Sequence, residues 1–237
     1  VSKLTQAVVM LLFGGAILRA SFTDLYLRYV KEGLRPFLIA AGLLLVAAAV
    51  MTLWYSFRSP EGHDDGHGHE HHEPKVGWLL LLPVLGLLLV APPALGSYAA
   101  EQAGSVVAQP DGNSDYPPLP AGDPADLSLV DYASRALFDA GESMRDRDVR
   151  LTGFITTAPD GKPMLARIVL TCCAADGRPI KIGLAGRAPI DVPADTWVEV
   201  IGRYTAQTGK DPVNNVDVAY LEVKTWQEIT EPKQPYA

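Results

Sequence analysis

The sequence predicts a two-part protein: an N-terminal transmembrane segment of three α-helices, then a small all-β, OB-like barrel preceded by one helix. Three observations predict it. Residues 1–100 carry three long apolar stretches, each close to the roughly 20 residues that a bilayer span requires. Residues 149–228 carry five short apolar-alternating runs separated by turn sequences, the pattern of a small closed barrel. Between them, residues 101–126 are rich in Pro, Gly, Asp and Ser with no apolar period, which reads as a flexible linker.

The first helix is expected at about 4–22, interrupted only by Arg19 near its end. An arginine there can snorkel to the headgroups. A signal peptide is the rival reading, but Leu18 and Arg19 stand where a cleavage site wants small residues, so retention is expected. The second helix, about 36–57, has Pro36 in its first turn and Trp54 and Tyr55 at its interfacial end. The third, about 76–98, contains Pro83, Pro92 and Pro93, so it is expected to be kinked and to pack on neighbouring helices.

Arg19, Arg28, Lys31 and Arg35 surround the first turn, whereas the second loop has only Arg58 and Lys75 at its edges. The positive-inside rule then makes this a multi-pass cell-membrane protein. The loop at 58–75 faces outward, and the soluble domain at 127–237 is cytoplasmic.

That loop contains "GHDDGHGHEHHEP". His63, His67, His69, His71 and His72 are all the histidines of the chain, mixed with Asp64, Asp65, Glu70 and Glu73. Neutral imidazole binds zinc, copper or nickel, and carboxylates can complete the shell. Gly62, Gly66 and Gly68 let so short a segment fold back on itself. The spacing is not that of a structural zinc site, so an adaptable collector of divalent metal is expected, zinc first. Its affinity should fall as the histidines protonate. The plainer alternative is a solvated loop that keeps two spans apart.

In the soluble part, "LSLVDYASRALFDAG" spaces Leu129, Ala133, Ala136, Leu137 and Ala140 as one helix, with Ser128 as cap and Gly141 as stop. Strands follow at "VRLTGFITTAP", "MLARIVLTCC", "IKIGLAG", "TWVEVIGRYTAQ" and "VAYLEVKTWQEI". Gly153 and Gly202 are expected to mark bends where the barrel curls. A split sheet or small sandwich is the structural rival. Trp197, Tyr204, Tyr220 and Trp226 are expected as packing residues. The net charge of −7, and the lack of aromatics on the second and third strands, exclude a nucleic-acid partner.

The remaining chemistry sits in "RIVLTCCAADGRP". On a regular strand Cys172 and Cys173 would face opposite sides, but beside the turn containing Asp176 both thiols could reach one side. Three readings stay open: two small side chains filling space, a thiolate metal site with Asp176 and a partner-supplied ligand, or redox chemistry including a vicinal disulfide. With no second cysteine pair and no histidine in this domain, any metal there would be incompletely held, which suits handover better than storage. No Ser/His/Asp set, phosphate loop or dinucleotide fingerprint is present, so neither catalysis nor an organic cofactor is expected.

The stretches "SLVDYASRALFD", "VRLTGFI", "RIVLTCCAADGRPIKI" and "TWVEVIGRY", behind a membrane segment and a linker, resemble the YcgQ family of uncharacterised bacterial membrane proteins. The resemblance is strongest over about 127–205. It implies a subunit of a two-component permease, acting with a larger YraQ-type membrane permease and associated with metal, especially zinc. It carries over no catalytic residue, and the histidine-rich loop is not part of the family's motif. The combined expectation is an accessory permease subunit whose partners are the bilayer, the permease and a divalent metal ion. The alternatives are a membrane-anchored interaction or sensor module without cargo, and a thiol-redox membrane protein.

Overall fold

The computed structural model describes residues 3–58, 86, 93–107, 116–158, 160–186 and 190–237. The chain divides into two compact units, one comprising Val1–Tyr26 and Glu32–Pro93, the other Leu27–Lys31 and Ala94–Ala237.

In the first unit, helix α1 spans Lys3–Phe22 and helix α2 spans Arg35–Arg58. By length and composition both could cross a bilayer. Phe37, Leu44, Met51, Trp54 and Phe57 are exposed on α2, as expected of a helix made for apolar surroundings. The two helices meet where side chains are missing. A β-carbon on Gly42 would lie 2.8 Å from Leu18 Cγ, and one on Gly14 would lie 2.9 Å from Val46 Cγ2, so glycine permits the close approach. Arg35 donates from Nε to the Ser21 carbonyl at 3.0 Å, satisfying one of the orphan acceptors at the end of α1.

The expected third span lies largely outside the described residues. Its far end is corrected: residues 93–96 are not helical, and Ser97–Gln102 forms a separate six-residue helix, α3. Pro92 and Pro93 give the reason, since proline disfavours helix in the residue before it and offers no amide donor.

In the second unit, strand β1 is Ala125–Asp126, helix α4 is Leu129–Phe138, and strands β2 to β6 are Val149–Thr157, Pro163–Val169, Arg178–Gly186, Trp197–Lys210 and Asp217–Glu228. Strands β2, β3, β4, β6 and β5 follow one another in hydrogen-bonded order, and β5 pairs back onto β2. The five strands therefore close into a barrel, not a split sheet or sandwich. The β4–β6 pair is parallel and the others are antiparallel. Gly202 sits at a register shift between β5 and β6, as expected of a bend. At Gly153 a β-carbon would lie 2.5 Å from the Ala166 carbonyl oxygen.

The predicted helix forms from its Ser128 cap but ends at Phe138, leaving Ala140 outside it with φ 46°. The Ser128 side chain accepts from the Asp131 amide at 3.0 Å, and Gly141 adopts φ 70° beyond the end. Its Leu129, Tyr132, Ala133 and Ala136 pack with Leu151, Leu165, Ile182, Val200 and Leu221 in the main core. The Tyr132 hydroxyl donates to the Tyr220 carbonyl at 2.6 Å. Tyr204 and Trp226 pack against this core from its margin.

A second apolar cluster covers the outer side of β2 and β3: Phe154, Ala166, Ile168 and Leu170 with Ala100 of α3, bordered by Leu95, Trp197 and Tyr236. Phe154 and Trp197 meet edge to face, with centroids 5.7 Å apart.

This cover changes the reading of 101–126. The described parts of that stretch do not hang free as a linker. Ser105 is buried, donates from its amide to Asp211 Oδ2 at 3.0 Å, and accepts from the Lys181 amide at 3.2 Å. Lys181 Nζ pairs with Asp211 Oδ2 at 2.9 Å and donates to the Ala103 carbonyl at 2.9 Å. Further along, the Pro117 carbonyl accepts from the buried Arg135 guanidinium at 3.0 Å, which also stacks over Tyr116. Polar anchors hold its described parts, a kind of contact that leaves no apolar period in sequence.

Candidate metal centre

Strand β3 ends at Val169, so Cys172 and Cys173 stand beyond the pleat that would have separated them. A short 3-10 turn, Ala174–Asp176, follows. Asp176 folds back over the preceding residues: Oδ1 accepts from the Thr171 amide at 2.8 Å, and Oδ2 accepts from the amides of Cys172 at 2.8 Å and Cys173 at 3.3 Å. Cys173 and Asp176 form a capping box, with sulfur in the place usually taken by a hydroxyl. After the turn, Gly177 admits the close passage of Leu95, whose Cδ1 would lie 2.7 Å from a β-carbon there.

The result is that both thiols face one side. Their sulfurs are 3.6 Å apart, and ligand atoms of Cys172, Cys173 and Asp176 all lie within 4.8 Å of one another. Among the described residues this is the one grouping of at least three His, Cys, Asp or Glu side chains so arranged. Cys172 is exposed and Cys173 half-buried, and both are free thiols. The structure thus brings together the three residues that the sequence grouped at this turn. His63, His67, His69, His71 and His72 lie outside the described residues.

Electrostatics set the resting state. Sharing its proton with Asp176, and then with Cys173, pushes the Cys172 thiol up to about 12. The same hydrogen bond, followed by that from the Thr171 amide, holds Asp176 down to about 2. At neutral pH the site is therefore a protonated thiol beside an ionised carboxylate. A metal ion bound to the Cys172 sulfur would have to displace that proton.

The sequence did not signal one further set of contacts. The Lys31 amide donates to the Cys172 carbonyl at 3.1 Å, and the Ala174 amide donates to the Tyr29 carbonyl at 2.7 Å. Val30 pairs with Cys173 as an isolated antiparallel bridge. Residues 27–31 thus form a strap along the backbone that carries the thiols. Their sequence has no strand pattern, and a two-sided bridge of this kind has no local signature.

A hollow of about 320 Å³ lined by Glu101, Thr156, Met164 and Lys181 among others holds no cysteine. A second, of about 310 Å³, is lined by Asp176, Gly177 and Arg178 with Ala103 and Gly104.

Residues 134–237 match the family described as the DUF1980 C-terminal domain, an uncharacterised domain family. The match begins within α4 and takes in the whole barrel and the cysteine turn. No curated protein and no solved structure matches the chain.

Proposed function

We propose that this protein is an accessory subunit of a membrane permease that binds a divalent, zinc-like metal ion at the cysteine turn and passes it on. The observation that carries the reading is the convergence of Cys172, Cys173 and Asp176 within 4.8 Å. Zinc–sulfur bonds of about 2.3 Å in a tetrahedral shell place two sulfurs roughly 3.8 Å apart, close to the 3.6 Å separation found here.

Asp176 already accepts three backbone amides, so its main work is to shape the turn, and it has little capacity left as a ligand. Two sulfurs and at most one oxygen leave the shell open to water or to a donor from the permease. An open shell and a proton that must leave favour exchange over storage. The OB-type barrel is the rigid mount for the turn, the apolar helices are the bilayer anchor, and the histidine-rich segment is a collector for the same class of ion. The resemblance to permease-associated proteins supports the partner.

The test is calorimetry on the purified, detergent-solubilised full chain under reducing conditions, with zinc and cobalt. Binding that weakens in Cys172→Ser and in Cys173→Ser, and a thiolate-to-cobalt absorption band lost in both, is the expected result. Absence of any binding heat with either ion defeats the proposal. In cells lacking the protein, unaltered zinc, copper, nickel and cobalt tolerance would remove the transport role.

A further inference from the structure

We infer that Cys172 and Cys173 form a reversible vicinal disulfide that releases the strap at 27–31. The inference rests on the thiol separation and the strap's hydrogen bonds, and it holds whether or not the turn binds metal.

The sulfurs are already in contact at 3.6 Å, with Cys172 exposed to solution. Both sit outside the barrel strands, so only the strap's bridge and the Asp176 carboxylate hold the peptide between them. Joining them means closing to about 2.05 Å while adjacent α-carbons stay about 3.8 Å apart, below the usual disulfide range of about 4.4–6.8 Å. The peptide linking the two residues must therefore twist to let the ring close.

That peptide contributes the Cys172 carbonyl, which is the acceptor for the Lys31 amide. Its other half is the Cys173 amide, held by Asp176. Twisting this unit turns the carbonyl away from Lys31 and breaks the Val30–Cys173 bridge. The oxidised ring and the docked strap are alternatives built on one peptide plane. A ring of this kind is strained and exposed, which places it among readily reduced, regulatory disulfides.

The oxidant is a small-molecule disulfide, R–S–S–R. Cys172 attacks it as its proton passes to the hydrogen-bonded Asp176 carboxylate, forming Cys172–S–S–R, and one R–SH leaves with that proton. The Cys173 sulfur then attacks the Cys172 sulfur, the intramolecular S–S bond forms, and a second R–SH leaves with the Cys173 proton. Two electrons pass from the cysteine pair to the reagent. The ring also withdraws both sulfurs as metal ligands.

The experiment uses metal-free full-length protein in detergent, treated with oxidised glutathione or with a reductant, and read by peptide mass and amide hydrogen exchange. The expected result is loss of two hydrogens from the peptide containing 172–173, with exchange at Lys31 and Ala174 faster by roughly fivefold or more, the scale of one lost backbone hydrogen bond. Cys173→Ser should instead retain a glutathione adduct on Cys172, and Cys172→Ser should lose the response. Either a persistent adduct on the wild-type chain, or ring formation with unchanged exchange at 29–31, overturns the inference. Because no metal is present, neither result bears on zinc binding.

Discussion

The inside of the barrel and the cysteine turn on its rim are held by opposite kinds of force. Inside, Leu151, Leu165, Ile182, Val200 and Leu221 are almost wholly removed from solvent, and each such side chain contributes about 1.5–3 kcal/mol by burial. On the rim, the shape of the turn is set by three amides donating to one carboxylate and by a strap of backbone hydrogen bonds. The interior has to be strong and needs no chemistry. The turn carries two thiols and is held by hydrogen bonds rather than by burial. On the proposed function, the division separates the work of the thiols from the stability of their mount.

The largest effect should come from the polar exception to the interior. Lys181 and Asp211 form a buried pair, and removing one partner strands the other's charge. Lys181→Met should cost about 3–5 kcal/mol, measured by denaturant unfolding. Replacing both with apolar residues should recover much of that loss. The pair also gives the pH dependence. Burial tends to raise the Asp211 carboxyl, but the Lys181 hydrogen bond and the Val213 and Ser105 amides outweigh it and hold it below its ordinary value. Its contribution to stability is therefore complete above the ordinary carboxylate range and is lost as pH falls through the lowered folded value. An Asp211→Asn chain should show a flatter acid-unfolding curve than the wild type.

Next in size, Leu165→Ala should cost about 2–5 kcal/mol through transfer and cavity terms. The refolded variant should keep wild-type metal stoichiometry, and altered stoichiometry would show that rim and interior are not separate. Smaller still, Ser128→Ala should cost about 1 kcal/mol by leaving the Asp131 amide without its cap, read as a shift in thermal midpoint. The smallest effect on unfolding belongs to Asp176→Ala, because the residue stands on the exposed rim. That variant should nevertheless weaken metal affinity about 10- to 100-fold, the usual consequence of losing a group that orients ligands. An unchanged affinity would remove Asp176 from the site.

The same division explains what could be read from the sequence. Strand alternation around "PDGKP" and "ADGRP", and the Ser128 cap, gave the barrel and its helix because interior packing leaves a periodic trace. The juxtaposition of Cys172, Cys173 and Asp176 was legible from spacing alone. Asp176 was read as a ligand, and the structure adds that its carboxylate shapes the turn by accepting three backbone amides. The capping-box spacing from Cys173 to Asp176 was the available signal, masked by the sulfur. The anchoring of 101–107 and 116–126 was not legible, since Ser105 and Pro117 find their partners at Asp211 and Arg135, far along the chain. The strap at 27–31 was hidden for the same reason. Polar contacts between distant residues leave no period.

Pairing of β5 with β2 has a consequence for how this domain meets its neighbours. Ring closure gives the Trp197–Gly202 half of β5 a partner on its second flank, where an open sheet would leave a border of amides and carbonyls for a neighbour's chain to add on.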